Sequence, residues 1–188
     1  MANTNPIKTF LAAHRDENFY LVAKLGKAVC AKLKTEGWAW EVYGQALSRL
    51  HRNREASAAL LKAVKLFKPG KRRLPLGSLG LHYERVMRPA QARRAYLKSI
   101  ADAPNHSHAY TFLGSLEWRL GNVTVAEQLF RSATKCTDGV LDEPWYNLAA
   151  LMAACGRISE AKRAVACALK IDPKYKIAKE LRRFLETL

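Results

Sequence analysis

Apolar positions recur every three or four residues along most of the chain, the spacing of helices with one buried face. Over the middle of the chain the pattern has a second, longer period. "WEVYGQAL" holds Trp40, Tyr43, Gly44 and Leu47, and "LGSLGLHY" holds Leu76, Leu79, Gly80 and Tyr83. "YTFLGSLE" holds Tyr110, Leu113, Gly114 and Glu117, and "WYNLAALM" holds Trp145, Leu148, Ala149 and Met152. The small residues stand at 44, 80, 114 and 149, in steps of 36, 34 and 35. A second block follows each at constant offset. It opens on Ala56, Ala92, Ala126 and Ala161, continues with Leu60, Tyr96, Phe130 and Val165, and reaches Ala63, Ser99, Ala133 and Ala168. Pro69, Pro104 and Pro173 close three of the four units.

Each unit reads as two amphipathic helices. The small residues let the two helices approach, and the bulky ones fill the remaining space. Gly121 and Gly156 fall at turns within units, where a helix C-terminus favours left-handed backbone. The prolines cannot continue a helix, so they end the second one. A single pair cannot bury its apolar face alone, so neighbouring pairs must stack into a continuous core.

The flanks also carry helical spacing. Ile7, Phe10, Leu11 and His14, then Phe19, Val22, Leu25, Val29 and Leu33, predict an N-terminal helix pair over roughly 5–35 that departs from the repeat. "KYKIAKELRRFLETL" places Ile177, Leu181, Phe184 and Leu188 on one stripe with charge opposite, as a capping helix requires. "KPGKRRLPLG", residues 68–77, reads as a lengthened turn between the first two units. Pro69 and Gly70 stop one helix, and the next begins near Arg73 to Pro75.

The four units cover residues 37–173 and resemble the tetratricopeptide repeat, W-x2-L-G-x2-Y followed by A-x3-F, A and P over about 34 residues. The resemblance implies an all-α fold, a right-handed α-solenoid of tandem helix-turn-helix repeats with helical caps. The organisation is then a divergent N-terminal pair at 1–36, units at 37–72, 73–106, 107–141 and 142–175, and a capping helix at 176–188. The resemblance also implies a non-enzymatic binding scaffold whose first helices line a concave groove. Carried over by offset, the groove holds Trp38, Arg49, Arg85, His108, Trp118, Arg119 and Tyr146. Arg49, Arg85 and Arg119 occupy one position in successive units, and guanidinium forks match carboxylate or phosphate oxygens in pairs. The alternative is that they only solvate the groove edge. Trp40 and Trp145, at the motif position, are expected in the core. A subclass of the family grips chaperone tails with a clamp of Lys, Asn, Asn, Lys and Arg. Here those places hold Glu41, Gln45, Ser78, His108 and Phe112, which disfavours that partner.

Charge is more informative than composition. The net charge is +16. Residues 51–100 alone carry 13 basic and 2 acidic residues, a net of +11. The basic surface is expected to include Arg52, Lys71, Arg72, Arg73, Arg88, Arg93, Arg94, Lys162 and Arg163. Such a field attracts acidic partners without choosing among them. The expected partner is an acidic, extended or helical protein segment. The alternative is a ribonucleoprotein component that docks on phosphates through residues 52–98 and the C-terminal helix. No signature of sequence-specific nucleic-acid readout is present.

Other classes are excluded by what the motifs lack. No Gly-rich phosphate loop, nucleophile elbow or paired-carboxylate pattern suggests an enzyme or a cofactor. "NHSH" at 105–108 has no cysteine or carboxylate at ligand spacing, so no metal site is expected. Asp142 and Glu143 open a helix ahead of Pro144 and favourably oppose its dipole. The N-terminal residues do not read as a secretory signal, and no apolar run is long enough to span a bilayer. Cys30, Cys136, Cys155 and Cys167 form no C-x-x-C pair and read as buried free thiols of a cytoplasmic protein.

Overall fold

The computed structural model describes residues 5–188. These residues form eleven α-helices, so the fold is all-α. They are α1 (Pro6–Arg15), α2 (Phe19–Lys32), α3 (Gly37–Arg49), α4 (Asn53–Leu66), α5 (Arg73–Arg85), α6 (Pro89–Asp102), α7 (Ser107–Arg119), α8 (Val123–Ala133), α9 (Asp142–Ala154), α10 (Ile158–Ile171) and α11 (Lys176–Glu186). The chain divides after Asp102 into two compact units. Unit 1 holds α1–α6 and unit 2 holds α7–α11. No helix among the described residues is long and apolar enough to cross a membrane.

One turn recurs inside every pair. The backbone N–H of Asn18, Arg52, Arg88, Asn122 and Arg157 donates to the carbonyl five residues earlier, on Ala13, Leu47, Tyr83, Glu117 and Met152, at 2.8–2.9 Å. The preceding residue takes positive φ each time: Glu17, His51, Met87, Gly121 and Gly156. This is the Schellman closure of a helix. The α1–α2 pair shares it, so it has the turn of the repeat without its residues.

Its residues differ because large and small have changed places. In α3, α5 and α7 a glycine faces a bulky side chain of its own partner helix. A Cβ on Gly80 would stand 2.3 Å from Tyr96 Cε1. In α1–α2 the first helix carries the bulky Phe10, and the glycine, Gly26, lies on the second helix. The space at Gly26 is filled by Tyr43 of the next pair, whose Cδ2 would lie 2.1 Å from an added Cβ.

Unit 1 buries Phe10, Val22, Val29, Cys30, Leu47, Leu60 and Tyr96. Its longest internal turn is closed by Asp102, whose carboxylate accepts from Gly70 N at 2.8 Å and Arg72 N at 2.5 Å. Arg72 Nε also donates to the carbonyl of Phe67, the C-cap of α4, at 2.9 Å. Arg72, expected only as part of the basic surface, therefore also has a structural task in this turn.

Unit 2 is built on Phe130, Leu148, Leu151, Met152, Val165 and Leu185. The linker after α8 lacks a closing proline and is tied to the start of α7 instead. Thr137 N and Asp138 N donate to Asn105 O, Ser107 N donates to Asp138 O, and Ser107 Oγ donates to Val140 O. In α11 the packed stripe is Ala178, Leu181 and Leu185. Ile177, Phe184 and Leu188, expected on the packed side, are 43%, 56% and 65% exposed. Ala178 is small enough to vanish completely into the contact, and this rotates the buried stripe by one position.

The cysteines are free but unequally covered. Cys30 is buried, Cys136 and Cys167 are half-buried, and Cys155 is exposed at the end of α9. Trp40 and Trp145 are likewise half-buried rather than core, and Lys62 Nζ lies 3.9 Å from the Trp40 ring centroid.

Candidate binding site

In unit 1, α3 and α5 each end on an arginine, Arg49 and Arg85, where a cation complements the negative end of the helix dipole. Both line a cleft of about 260 Å³ with His14, Glu17, Phe19, Gln45, Ser48, Ser78, Leu81 and His82. The Arg49 guanidinium lies 5.5 Å from the Phe19 ring centroid. Arg85 Nη1 donates to Ser48 Oγ at 2.9 Å. Burial, and then the neighbouring Arg49 charge, lower the Arg85 pKa. Two like charges are thus held together at one rim.

Beneath them runs a chain of buried polar groups. Ser48 Oγ is 2.9 Å from His82 Nδ1, and His82 Nε2 is 2.8 Å from Ser57 Oγ. The neutral ring donates at one of these contacts and accepts at the other, and each hydroxyl can take either role. Burial, then the charges of Arg85 and Arg88, lower the His82 pKa and keep the ring neutral. Closer to the start of α3, Glu41 Oε1 accepts from Ser78 Oγ at 2.9 Å and from Gln45 Nε2 at 3.3 Å. Burial raises the Glu41 carboxyl, against the Ser78 hydrogen bond and the Arg73 charge.

Arg49 and Arg85 are the two candidate groove residues that unit 1 brings together. Trp38 sits at the other end of α3, about 16 Å along the helix from Arg49, where its Nε1 donates to Glu36 Oε2 at 3.2 Å. In unit 2, His108 stacks on Phe112 at 6.0 Å and meets His106 edge-on at 4.8 Å. Tyr146 lies edge-on to Tyr175 at 5.5 Å. Burial raises the Glu143 carboxyl, against the His108 charge, and burial pushes the Tyr175 hydroxyl up to about 12. Trp118 is half-buried, edge-on to Phe130 at 6.5 Å, and so belongs to the packing. Arg119 is exposed at the end of α7.

The basic residues singled out in the sequence divide by what they touch. Arg52 pairs with Glu55 at 2.7 Å. Arg72 holds the α4 end, Arg73 acts on Glu41, and Arg93 is half-buried and engaged. Lys71, Arg88 and Arg94 in unit 1, and Lys162 and Arg163 on α10, are exposed.

Two further grooves lie between second helices. In unit 1, α4 and α6 flank about 230 Å³ lined by Leu61, Val64, Leu76, Leu79, Tyr83, Gln91, Arg94, Ala95 and Lys98. In unit 2, α8 and α10 flank about 230 Å³ lined by Arg131, Trp145, Leu148, Met152, Glu160, Arg163, Ala164 and Cys167. Around the second groove Arg131 bridges Glu127 and Glu160 at 2.8 and 3.3 Å, and Arg157 bridges the same two acids at 2.7 Å each. The sequence reading missed His82 and this four-charge cluster. His82 had a visible signal, since its repeat position holds Leu116 and Leu151 in unit 2.

Residues 78–140 match the family model of the tetratricopeptide repeat. No curated protein sequence matches the chain. Among solved structures, TTC0263, a thermophilic protein of this repeat class from Thermus thermophilus, is similar at 18% identity and a TM-score of 0.73 over 100% of both chains. YrrB, described as having an unusual peptide-binding site, matches at 15% identity and a TM-score of 0.63, over 95% of this chain and 90% of its own. The first such domain of Spaghetti (RPAP3), bound to the HSP90 peptide SRMEEVD, matches at 21% identity and a TM-score of 0.58, over 64% of this chain and 97% of its own. At these identities the likeness is one of fold.

Proposed function

The chain is a tetratricopeptide-repeat protein, and on that premise we propose that it is a non-enzymatic adaptor that binds an acidic segment of a partner protein. The cleft of unit 1 is the proposed site, and a cytoplasmic setting belongs to the same reading. The observation that carries it is the pairing of Arg49 with Arg85. Their charges face one cleft, and neither has an ion pair among the described residues. Holding two guanidinium groups together has an electrostatic cost that an incoming carboxylate removes. Phe19 and Leu81 supply apolar surface beside the charges.

The relative bound to SRMEEVD holds an acidic peptide. Its mode of binding is not carried over, because Glu41, Gln45 and Ser78 are hydrogen-bonded to one another here. A phosphate-docking role for residues 52–98 has less support. Arg52, Arg72, Arg73 and Arg93 of that stretch are already engaged within the protein.

The test is a fluorescence-anisotropy titration of the full chain with a glutamate-rich peptide and with single-stranded RNA, each at low and physiological salt. Arg49→Glu with Arg85→Glu is expected to weaken the peptide at least about tenfold. Unchanged peptide affinity in that variant sinks the site assignment. Affinity purification that records both proteins and nucleic acid then separates the adaptor from a ribonucleoprotein component.

A further inference from the structure

The two second-helix grooves are equivalent by repeat position, and their differences are concentrated in the charged residues. Leu76, Leu79, Tyr83, Arg94 and Ala95 of unit 1 correspond to Trp145, Leu148, Met152, Arg163 and Ala164 of unit 2. Arg88 corresponds to Arg157 at the turn before the second helix. In unit 2, Arg157 is neutralised by Glu127 and Glu160. In unit 1 those two acid positions hold Ser57 and Gln91. Arg131, which completes the unit 2 cluster, is replaced by Leu61, 44% exposed. Unit 1 thus keeps the cation of the cluster, drops both carboxylates, and puts an apolar side chain where the second cation was.

The remaining cations of this face are in the same state. Arg94 and Lys98 line the groove, and Lys65 lies one helical turn beyond Leu61. Among the described residues no carboxylate pairs with Lys65, Arg88, Arg94 or Lys98. The groove floor is apolar, formed by Leu76, Leu79 and Ala95 with Val64 and Tyr83 beside them.

We propose that the α4–α6 groove of unit 1 is a second docking surface, for an acidic amphipathic segment of a partner protein whose carboxylates take the places that Glu127 and Glu160 hold in unit 2. An apolar side chain of that segment enters between Leu61, Val64 and Tyr83, and its acids meet Arg88, Arg94 and Lys98. Charge complementarity selects an acidic occupant, and the apolar floor selects protein over nucleic acid. The groove shares no lining residue with the Arg49–Arg85 cleft, so the two sites stand or fall separately.

The test gives the unit 1 groove the second cation and one of the two acids of the unit 2 pattern. The full chain carries Leu61→Arg with Gln91→Glu, and the probe is a fluorescein-labelled peptide of leucine and glutamate at helical spacing. About a tenfold loss of affinity is expected in this variant, with a much smaller loss in Arg49→Glu with Arg85→Glu. Equal losses in both, loss only in the cleft variant, or no loss in either overturns the proposal. So does displacement of the peptide by polyuridine RNA from the wild-type chain but not from the groove variant, which assigns the surface to nucleic acid. A benzophenone-bearing form of the peptide keeps the test independent of variant folding. Cross-links to α4 and α6 of the wild-type chain support the groove, and cross-links confined to other helices refute it.

Discussion

Unit 1 and unit 2 are made from the same helix pairs and treat charge in opposite ways. Residues 1–102 carry 20 basic and 7 acidic residues, a net of +13, whereas residues 103–188 carry 12 and 9, a net of +3. Unit 2 sets its acids against its own arginines, around Glu127 and Glu160. Unit 1 has serine and glutamine there. The cores differ in the same direction. Unit 2 buries Leu116 and Leu151 where unit 1 buries His82, bonded to two serines. The turns differ as well, with Glu17, His51 and Met87 at positive φ in unit 1 and Gly121 and Gly156 in unit 2. The packing of the repeat constrains a few small and bulky positions. The remaining positions are free to diverge, and it is there that unit 1 leaves Lys65, Arg88, Arg94 and Lys98 without a carboxylate partner among the described residues.

The comparison begins from a shared core, and the largest expected effect tests that core. Tyr96→Ala in unit 1 and Phe130→Ala in unit 2 remove equivalent, fully buried rings. Each is expected to cost about 3–5 kcal/mol in urea denaturation. A tolerated change in one unit alone breaks the equivalence.

The next effect isolates the polar core of unit 1. His82→Leu installs the unit 2 residue and deprives Ser57 and Ser48 of a partner, at a cost of about 1–3 kcal/mol near neutral pH. The variant also changes the pH profile. The folded-state pKa of His82 lies below the ordinary 6.5, so the unfolded chain binds its proton first as pH falls. Its contribution is complete above 6.5 and is lost on acidification towards the folded pKa. Urea midpoints measured from pH 8 to pH 5 should fall more steeply for the wild type than for His82→Leu. Parallel profiles reject the assignment.

The smallest effect concerns the turns and has opposite signs in the two units. Met87→Gly relieves left-handed strain, less the added freedom of the unfolded chain, and is expected to stabilise by about 0.5–1 kcal/mol. Gly121→Ala imposes that strain and is expected to cost about 1 kcal/mol. Thermal or urea midpoints of the two variants read the sign directly.

The repeat was legible because its close approaches demand a small residue and its gaps demand a large one, in fixed order. Where the order changes, the reading weakens. The α1–α2 pair looked divergent because Phe10 and Gly26 exchange the usual roles, while its turn depends on backbone that any residue adopts at some cost. In α11, spacing pointed to the stripe of Ile177, Leu181, Phe184 and Leu188, and the contact made by Ala178 packs Leu181 and Leu185 instead. Charges were legible as totals and not as pairs. Glu127 and Arg157 lie 30 residues apart, so their ion pair exists only because two second helices stack. The same holds for the cleft. Arg49 and Arg85 share a repeat position, but the Ser48–His82–Ser57 chain beneath Arg85 crosses between pairs and leaves no local pattern.

The ring of Tyr43 against Gly26 also limits how this chain can be rearranged. At the equivalent repeat position later in the chain the residue is a leucine: Leu79 in unit 1, Leu113 and Leu148 in unit 2. Those three pairs carry a common part, whereas α1–α2 is keyed to α3 alone. Splicing another pair between α2 and α3 would present leucine to a recess shaped for an aromatic ring, and leave it partly empty. The order of the first two pairs is therefore fixed by a lock and its key.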